Sequence, residues 1–386
     1  MSQPIDKTTS MGVTKYQDVN IDHEDLSKSL LGKDQVQGEN PLKPPRQEMK
    51  SIMLAATAGV CFALGNYVLG IHADLGVLAR EVSENGSLVF VIIFLLFSIV
   101  KSKYQGKTYW SWESCNFRDQ ETDGIHWIKV FGTVVYTLIN VIQGFLVVFT
   151  FQFATYANMN QGILTSLFSF SAIFSALLAY FIFQDRLRIW HGIGIVFMIL
   201  CIVGLGIGSE EESELEGLDE SGHSLFFYSL ISILFGILCP VCFSVGGLVV
   251  RYFSDNYNYC PIDLTISCYF WSNVILIICM IFTFEYGSHP FILSEYLQIA
   301  ASGLLTAIGV VFLNMAVTCG LAGPVFALAN IQVIIQTILQ VLINGKVPNL
   351  IEIIAAALGV IGACTIALGP DIKNLIQNLS ERSKTQ

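Results

Sequence analysis

Between residues 51 and 370 the chain alternates ten long apolar stretches with short polar connections, and the centres of those stretches carry no Asp, Glu, Lys or Arg. The stretches run from roughly 15 to 27 residues, near the ~20 that cross a hydrocarbon layer about 30 Å thick at about 1.5 Å rise per residue. Lipid offers no partner for backbone N–H and C=O groups, so a spanning segment is either a helix or a strand of a closed barrel. The alternation of a barrel strand is absent, and continuous apolar runs such as 88–100 stand in its place. The sequence therefore predicts an all-α polytopic membrane protein with ten transmembrane helices, at about 51–71, 82–100, 127–156, 159–183, 189–208, 224–251, 263–284, 294–318, 321–344 and 350–369.

Residues 1–50 are polar, with Pro4, Pro41, Pro44 and Pro45 and no apolar run, and read as a disordered tail. The first apolar segment is long enough to stay in the membrane as an anchor, so no cleaved signal peptide is expected. Two five-helix units follow at 51–208 and 224–369, joined by a linker at 209–223 and trailed by a tail at 370–386. Lys and Arg set the orientation. With a cytosolic N-terminus, Lys43, Arg46, Lys50, Lys101, Lys103, Lys107, Arg118, Lys129, Arg186, Arg188, Arg251 and Lys373 fall on the cytosolic side, against Arg80 and Lys346 opposite. Both termini are then cytosolic, in a plasma membrane or an endomembrane.

The net charge of −10 is mostly local: Glu210, Glu211, Glu212, Glu214, Glu216, Asp219 and Glu220 all lie in the linker, without a basic residue. This reads as a solvated connection. A mean hydropathy of +0.62 with 13% charged residues excludes an ordinary water-soluble domain. There is no basic patch for nucleic acid. Most of the ten cysteines lie within apolar spans and act as small hydrophobes. Cys239-Pro240-Val241-Cys242 has no second pair, so no metal, cofactor or disulfide framework is expected. The Asn85-Gly86-Ser87 triplet is a formal glycosylation acceptor, although it abuts the second span.

The chain also repeats itself. A shift of 161 residues lays 151–208 on 312–369 without a gap and pairs Gly162 with Gly323, Leu167 with Leu328, Ile173 with Ile334 and Leu178 with Leu339. A displacement by five helices reverses topology, so the two units form a 5+5 inverted repeat.

Several segments carry a family likeness. They are Ala154-Thr155-Tyr156-Ala157, the run GILTSLFSFSAIFSALLAY at 162–180, Phe183-Gln184-Asp185-Arg186-Leu187 and Gly192-Ile193-Gly194. In the second unit Gly323-Pro324, Pro348 and the small residues at 355–362 correspond to them. In these the chain resembles the drug/metabolite transporter superfamily, in its ten-helix branch of two EamA-type units that includes solute-carrier-35-like and nucleotide-sugar transporters. Asp185-Arg186-Leu187 stands where that family usually has Gly-Glu-Arg-Leu, and Asn344-Gly345-Lys346 departs from its acidic residue. The resemblance implies a transporter, with a homodimer as one possible assembly.

Polar side chains inside spans face either other helices or a water-filled cavity. Gln332, Gln336 and Gln340 recur every four residues with Asn330 and Thr337 nearby, a polar stripe along the ninth span. The 161-residue shift places Gln332 on Ser171 and Gln336 on Ser175 of the fourth span, and pseudo-symmetry aims both stripes at the midplane axis where inverted-repeat carriers hold substrate. Asn140 and Gln143 of the third span and Asn66 of the first join them as candidate substrate-binding residues, with Thr306 and Asn314 as further polar positions in the eighth. Hydrogen-bonding glue between helices is the alternative use of the same groups.

Pro240 is a hinge candidate. Asn349 and Glu352 have the spacing of a capping box before the tenth span. His191 is an internal histidine of the fifth. No clustered catalytic constellation is present, so no enzyme activity is expected. With no ionisable group in the centre of a span, the sequence predicts an uncharged cavity and a facilitator or exchanger for a small polar solute. A nucleotide-sugar transporter of the same fold and a non-transporting scaffold or receptor are the alternatives.

Overall fold

The computed structural model describes residues 45–104, 117–118, 124–157, 159–183, 189–216, 225–286, 292–320, 322–345, 347–362 and 364–365. The tail at 1–44, the linker at 217–223, Asp185 and Arg186, the C-terminal tail and the side chains of His191 and Pro324 lie outside the described set. The helices are α1 (Pro45–Ile71), α2 (Val77–Tyr104), α3 (Trp127–Tyr156), α4 (Gln161–Leu164), α5 (Phe170–Phe183), α6 (Ile189–Glu216), α7 (Leu225–Tyr257), α8 (Pro261–Tyr286), α9 (Leu293–Cys319), α10 (Ala322–Ala329) and α11 (Ile331–Asn344). A further apolar helix, α12, spans Leu350–Gly362. Among the described residues the only β pairing is an isolated bridge between Arg118 and Ile125.

Among the described residues, eight helical segments are long and apolar enough to cross a bilayer, and Gly192–Leu205 and Leu350–Gly362 are shorter apolar helices. Large apolar side chains point outward, among them Phe97, Phe181, Ile189 and Leu342, while Ser, Thr, Asn and Gln collect inside. That inversion of the water-soluble pattern suits lipid as the outer solvent. The protein is an all-helical bundle with the length and apolarity of a polytopic membrane protein.

Several helices reach beyond the spans read from the sequence. α1 begins at Pro45 instead of Ser51, inside the stretch assigned to the tail, and α6 continues into the acidic linker as far as Glu216. α2 starts at Val77 instead of 82, so that it takes in Arg80 and Glu81 ahead of Glu84, and all three are buried. A run at 88–100 is too short to cross alone, so the helix extends backward through residues whose charges lower the local hydropathy. Glycines make room for it. A Cβ on Gly86 would stand 1.6 Å from the Ala300 carbonyl oxygen, and one on Gly303 would stand 1.6 Å from that of Ser83. α2 and α9 thus touch backbone to backbone. The Asn85-Gly86-Ser87 triplet lies within this packed helix, with Asn85 Nδ2 donating to the Tyr296 hydroxyl at 3.1 Å. It is a helix–helix contact and not an accessible glycosylation loop.

Two helical runs are interrupted at matching places. Between α4 and α5 the segment Thr165–Ser169 is 3-10 helix, and the Thr165 hydroxyl donates back to the Gly162 carbonyl at 2.6 Å. Between α10 and α11 a single turn at Asn330 breaks the run, and Val333 N–H donates to the Asn330 carbonyl at 3.0 Å. The starts Gln161 and Ala322, Phe170 and Ile331, and Ile189 and Leu350, like the ends Phe183 and Asn344, all stand 161 residues apart. α11 stops at Gly345, whose φ of 65° supplies the left-handed cap that a helix end favours. α12 begins on a reciprocal capping box, with Glu352 N–H donating to Asn349 Oδ1 at 2.8 Å and Asn349 N–H to Glu352 Oε2 at 3.1 Å.

α1 packs chiefly on α9 and α3 on α7; α2 lies against both α9 and α8, α11 against α1, and α5 against α7. Small residues join α6 to α12, where a Cβ on Gly204 would meet that of Ala355 at 2.8 Å. The small-residue faces of the fifth and tenth spans are therefore an internal interface.

Candidate functional site

The polar interior gathers around a small cavity of about 80 Å³. α1 supplies Asn66, α3 supplies Asn140 and Gln143, α11 supplies Gln332 and α9 supplies Thr306. Phe62, Phe168, Phe243 and Tyr269 add aromatic surface, and Pro240 stands on the α7 wall. Asn66 Nδ2 donates to Gln332 Oε1 across 3.4 Å, a long contact that leaves both amides able to turn toward a solute. Asn140 Nδ2 donates to the Ser272 hydroxyl at 3.2 Å, which fixes the direction of the α3 amide.

The cavity wall is not charge-free, contrary to the expectation from the sequence. Arg80 and Glu84 both line it, with Arg80 Nη1 donating to Glu84 Oε2 at 2.5 Å. One helical turn brings the two side chains together, so the pair is formed within α2 itself. Arg80 Nε and Glu84 Oε1 have no hydrogen-bond partner. Mutual neutralisation is what makes two charges tolerable here, since either alone would face the full desolvation cost of a buried ion. Glu81 belongs to the same turn. Its Oε1 accepts from the Thr283 hydroxyl at 3.0 Å, and its Oε2 has no partner.

Four of the eight residues singled out from the sequence meet at the cavity: Asn66, Asn140, Gln143 and Gln332. Ser171, Ser175, Asn330 and Gln336 are buried outside its lining. The Ser171 carbonyl accepts from Ser244 at 2.8 Å, and the Ser175 hydroxyl donates back to the Ala172 carbonyl at 3.1 Å. Asn330 Nδ2 and both amide atoms of Gln336 have no hydrogen-bond partner. Arg80, Ser83 and Glu84 escaped the sequence-based selection. Their signal was length: a span reaching back from 88–100 must include them.

Along α3 the cavity residues lie between two closing networks. On one side Asn314 Nδ2 of α9 donates to the Tyr136 hydroxyl of α3 at 2.7 Å and to the Thr265 hydroxyl of α8 at 2.8 Å. On the other, Tyr67 donates to Asn344 at 3.1 Å, Asn344 to Gln340 at 2.9 Å and Gln340 to Gln161 at 3.2 Å. Gln161 Nε2 ends that chain on the Gly70 carbonyl and the Thr155 hydroxyl, both at 2.9 Å. Each network ties a helix from before the linker to one from after it. Both consist of neutral hydrogen bonds of ordinary strength, which can break and re-form without exposing a charge.

No family model matches the chain, and no curated protein matches it. Among solved structures, 14 chains match. One of them, described only as "Crystal structure of protein", is similar over 82% of this chain and 96% of that chain, with a TM-score of 0.53 at 16% identity. That likeness speaks for the fold alone.

Proposed function

We propose that this protein is a secondary transporter that carries a small polar metabolite by alternating access, built as a 5+5 inverted repeat of the EamA type with cytosolic termini. The central cavity, walled by helices from both halves and flanked along α3 by two hydrogen-bond networks that tie those halves together, is the observation that carries this reading. The 161-residue register of the helix boundaries supports the repeat. So does the packing: under an exchange of halves the contact of α1 with α9 maps onto that of α7 with α3, and α11 with α1 maps onto α5 with α7. Carriers of this kind rock one half against the other around a midplane site.

The wall also bears on the solute. Its single cation, Arg80, is already paired with Glu84, so the two sum to zero charge. Two phosphates of a nucleotide sugar would meet no uncompensated cation there, whereas a solute that is neutral overall finds amides, hydroxyls and aromatic faces. A non-transporting scaffold has no use for such a cavity. A thermal-shift screen of the purified protein against sugars, nucleotide sugars, amino acids and nucleosides tests the assignment, because a ligand of the folded state raises its Tm. A rise with a neutral or zwitterionic solute that is absent in Gln332→Leu supports it. Ligand responses that ignore the cavity substitutions contradict it.

A further inference from the structure

Arg80, Glu81 and Glu84 lie within little more than one turn of α2, and all three are buried. If all were ionised, one cation would face two carboxylates. Among the described residues no cation pairs with Glu81, whose only hydrogen bond comes from the Thr283 hydroxyl. Glu81 Oε2 and Glu84 Oε1 are both buried without partners. Residues three apart on a helix are neighbours on its surface, so the two carboxylates share one low-dielectric region, where a second negative charge is strongly disfavoured.

A bound proton removes that charge with the least demand on the surroundings. A metal ion would need several oxygen or nitrogen ligands, and among the described residues no three His, Cys, Asp or Glu side chains gather as a metal site. We propose that Glu81, the carboxyl left without a cation, holds one exchangeable proton, and that this proton couples the carrier to a pH gradient. Glu84, held by Arg80, lines the cavity three residues along the same helix. Release passes the proton from the Glu81 carboxyl to water and leaves its carboxylate ionised beside the Arg80–Glu84 pair. Uptake reverses the step.

The titratable groups around the pair are Arg80 on α2, Cys268 and Tyr269 on α8, and Tyr296 on α9, the last holding Asn85. α3 presents the amides Asn140 and Gln143 to the same cavity.

The coupling rests on the transporter reading, but the proton site has a test of its own. Infrared difference spectra of the full chain in liposomes, stepped between acidic and alkaline pH, should show a protonated-carboxyl band that comes and goes. Glu81→Gln should abolish it, and Glu81→Asp should restore it at a shifted position, which guards against a Glu81→Gln protein that fails to fold. A Glu81 band fixed at every pH, or none attributable to Glu81, overturns the proposal. In vesicles, an imposed pH gradient should drive solute accumulation in the wild type and not in Glu81→Gln. Accumulation driven by sodium and indifferent to pH overturns it as well. A titrating band in vesicles that move no solute upholds the proton site and removes the transporter reading.

Discussion

Arg80 of α2 lies across the α3 backbone at Gly144, where a Cβ would stand 1.9 Å from its Nε. The glycine gives the guanidinium a seat from which it reaches Glu84 and faces the cavity. Gly144→Ala must move that side chain, and because the obstructing atoms belong to a flexible arm the bundle should survive. The expected cost is about 1–3 kcal/mol of stability from overpacking, with a tenfold or greater loss of solute binding. Chemical denaturation and ligand titration in lipid nanodiscs measure the two effects separately.

The contact between α2 and α9 predicts a contrast between glycines. Gly303→Ala drives a methyl group into the Ser83 carbonyl, which is backbone and cannot yield cheaply. A clear fall in Tm is expected, corresponding to about 1–3 kcal/mol or more. Nothing lies within 4 Å of a Cβ on Gly192, so Gly192→Ala should leave stability unchanged or raise it by up to about 1 kcal/mol through helix propensity. Parallel melting curves of the two variants decide this.

Gln336 and Gln340 share a helix face but differ in satisfaction. Gln340 links Asn344 to Gln161, whereas neither amide atom of Gln336 has a partner. Gln340→Leu should destabilise by about 1–3 kcal/mol, because it strands buried polar groups. Gln336→Leu replaces an unsatisfied amide with apolar bulk and should be neutral or stabilising. The order of their Tm values, with Gln336→Leu above Gln340→Leu, is the expected outcome.

At the opposite closure, Tyr136→Phe removes one of the two acceptors of Asn314 Nδ2 and leaves Thr265. The expected loss is about 1 kcal/mol. If the network is a gate, the same substitution also speeds solute release. Stopped-flow efflux from preloaded vesicles reads that rate.

Most of the helical architecture was legible in the sequence because apolar length is a direct imprint of the bilayer. The starts of α3, α6 and α12 and the Asn349–Glu352 capping box could be read from composition and spacing alone. The start of α2 could not, since the predicted span began at 82 and left out Arg80 and Glu81, which Gly86 and Gly303 bury by bringing two backbones together. The site divides on similar lines. Amides at helical spacing on the first, third and ninth spans pointed to Asn66, Asn140, Gln143 and Gln332. Periodicity fixes a face but not its depth, so Ser171, Ser175 and Gln336, on related faces, lie outside the cavity lining. The break at Asn330 turns the helix just before Gln332, and nothing in a four-residue stripe announces such a turn.

Flux tests the central claim most directly. Liposomes reconstituted with the full chain and offered a mixed pool of small polar metabolites, with their contents read by mass spectrometry, should take up at least one solute saturably. That uptake should fall at least tenfold in Asn140→Leu and Gln332→Leu proteins of unchanged Tm. Uptake no greater than in protein-free liposomes, or uptake that both substitutions leave intact, would contradict the account.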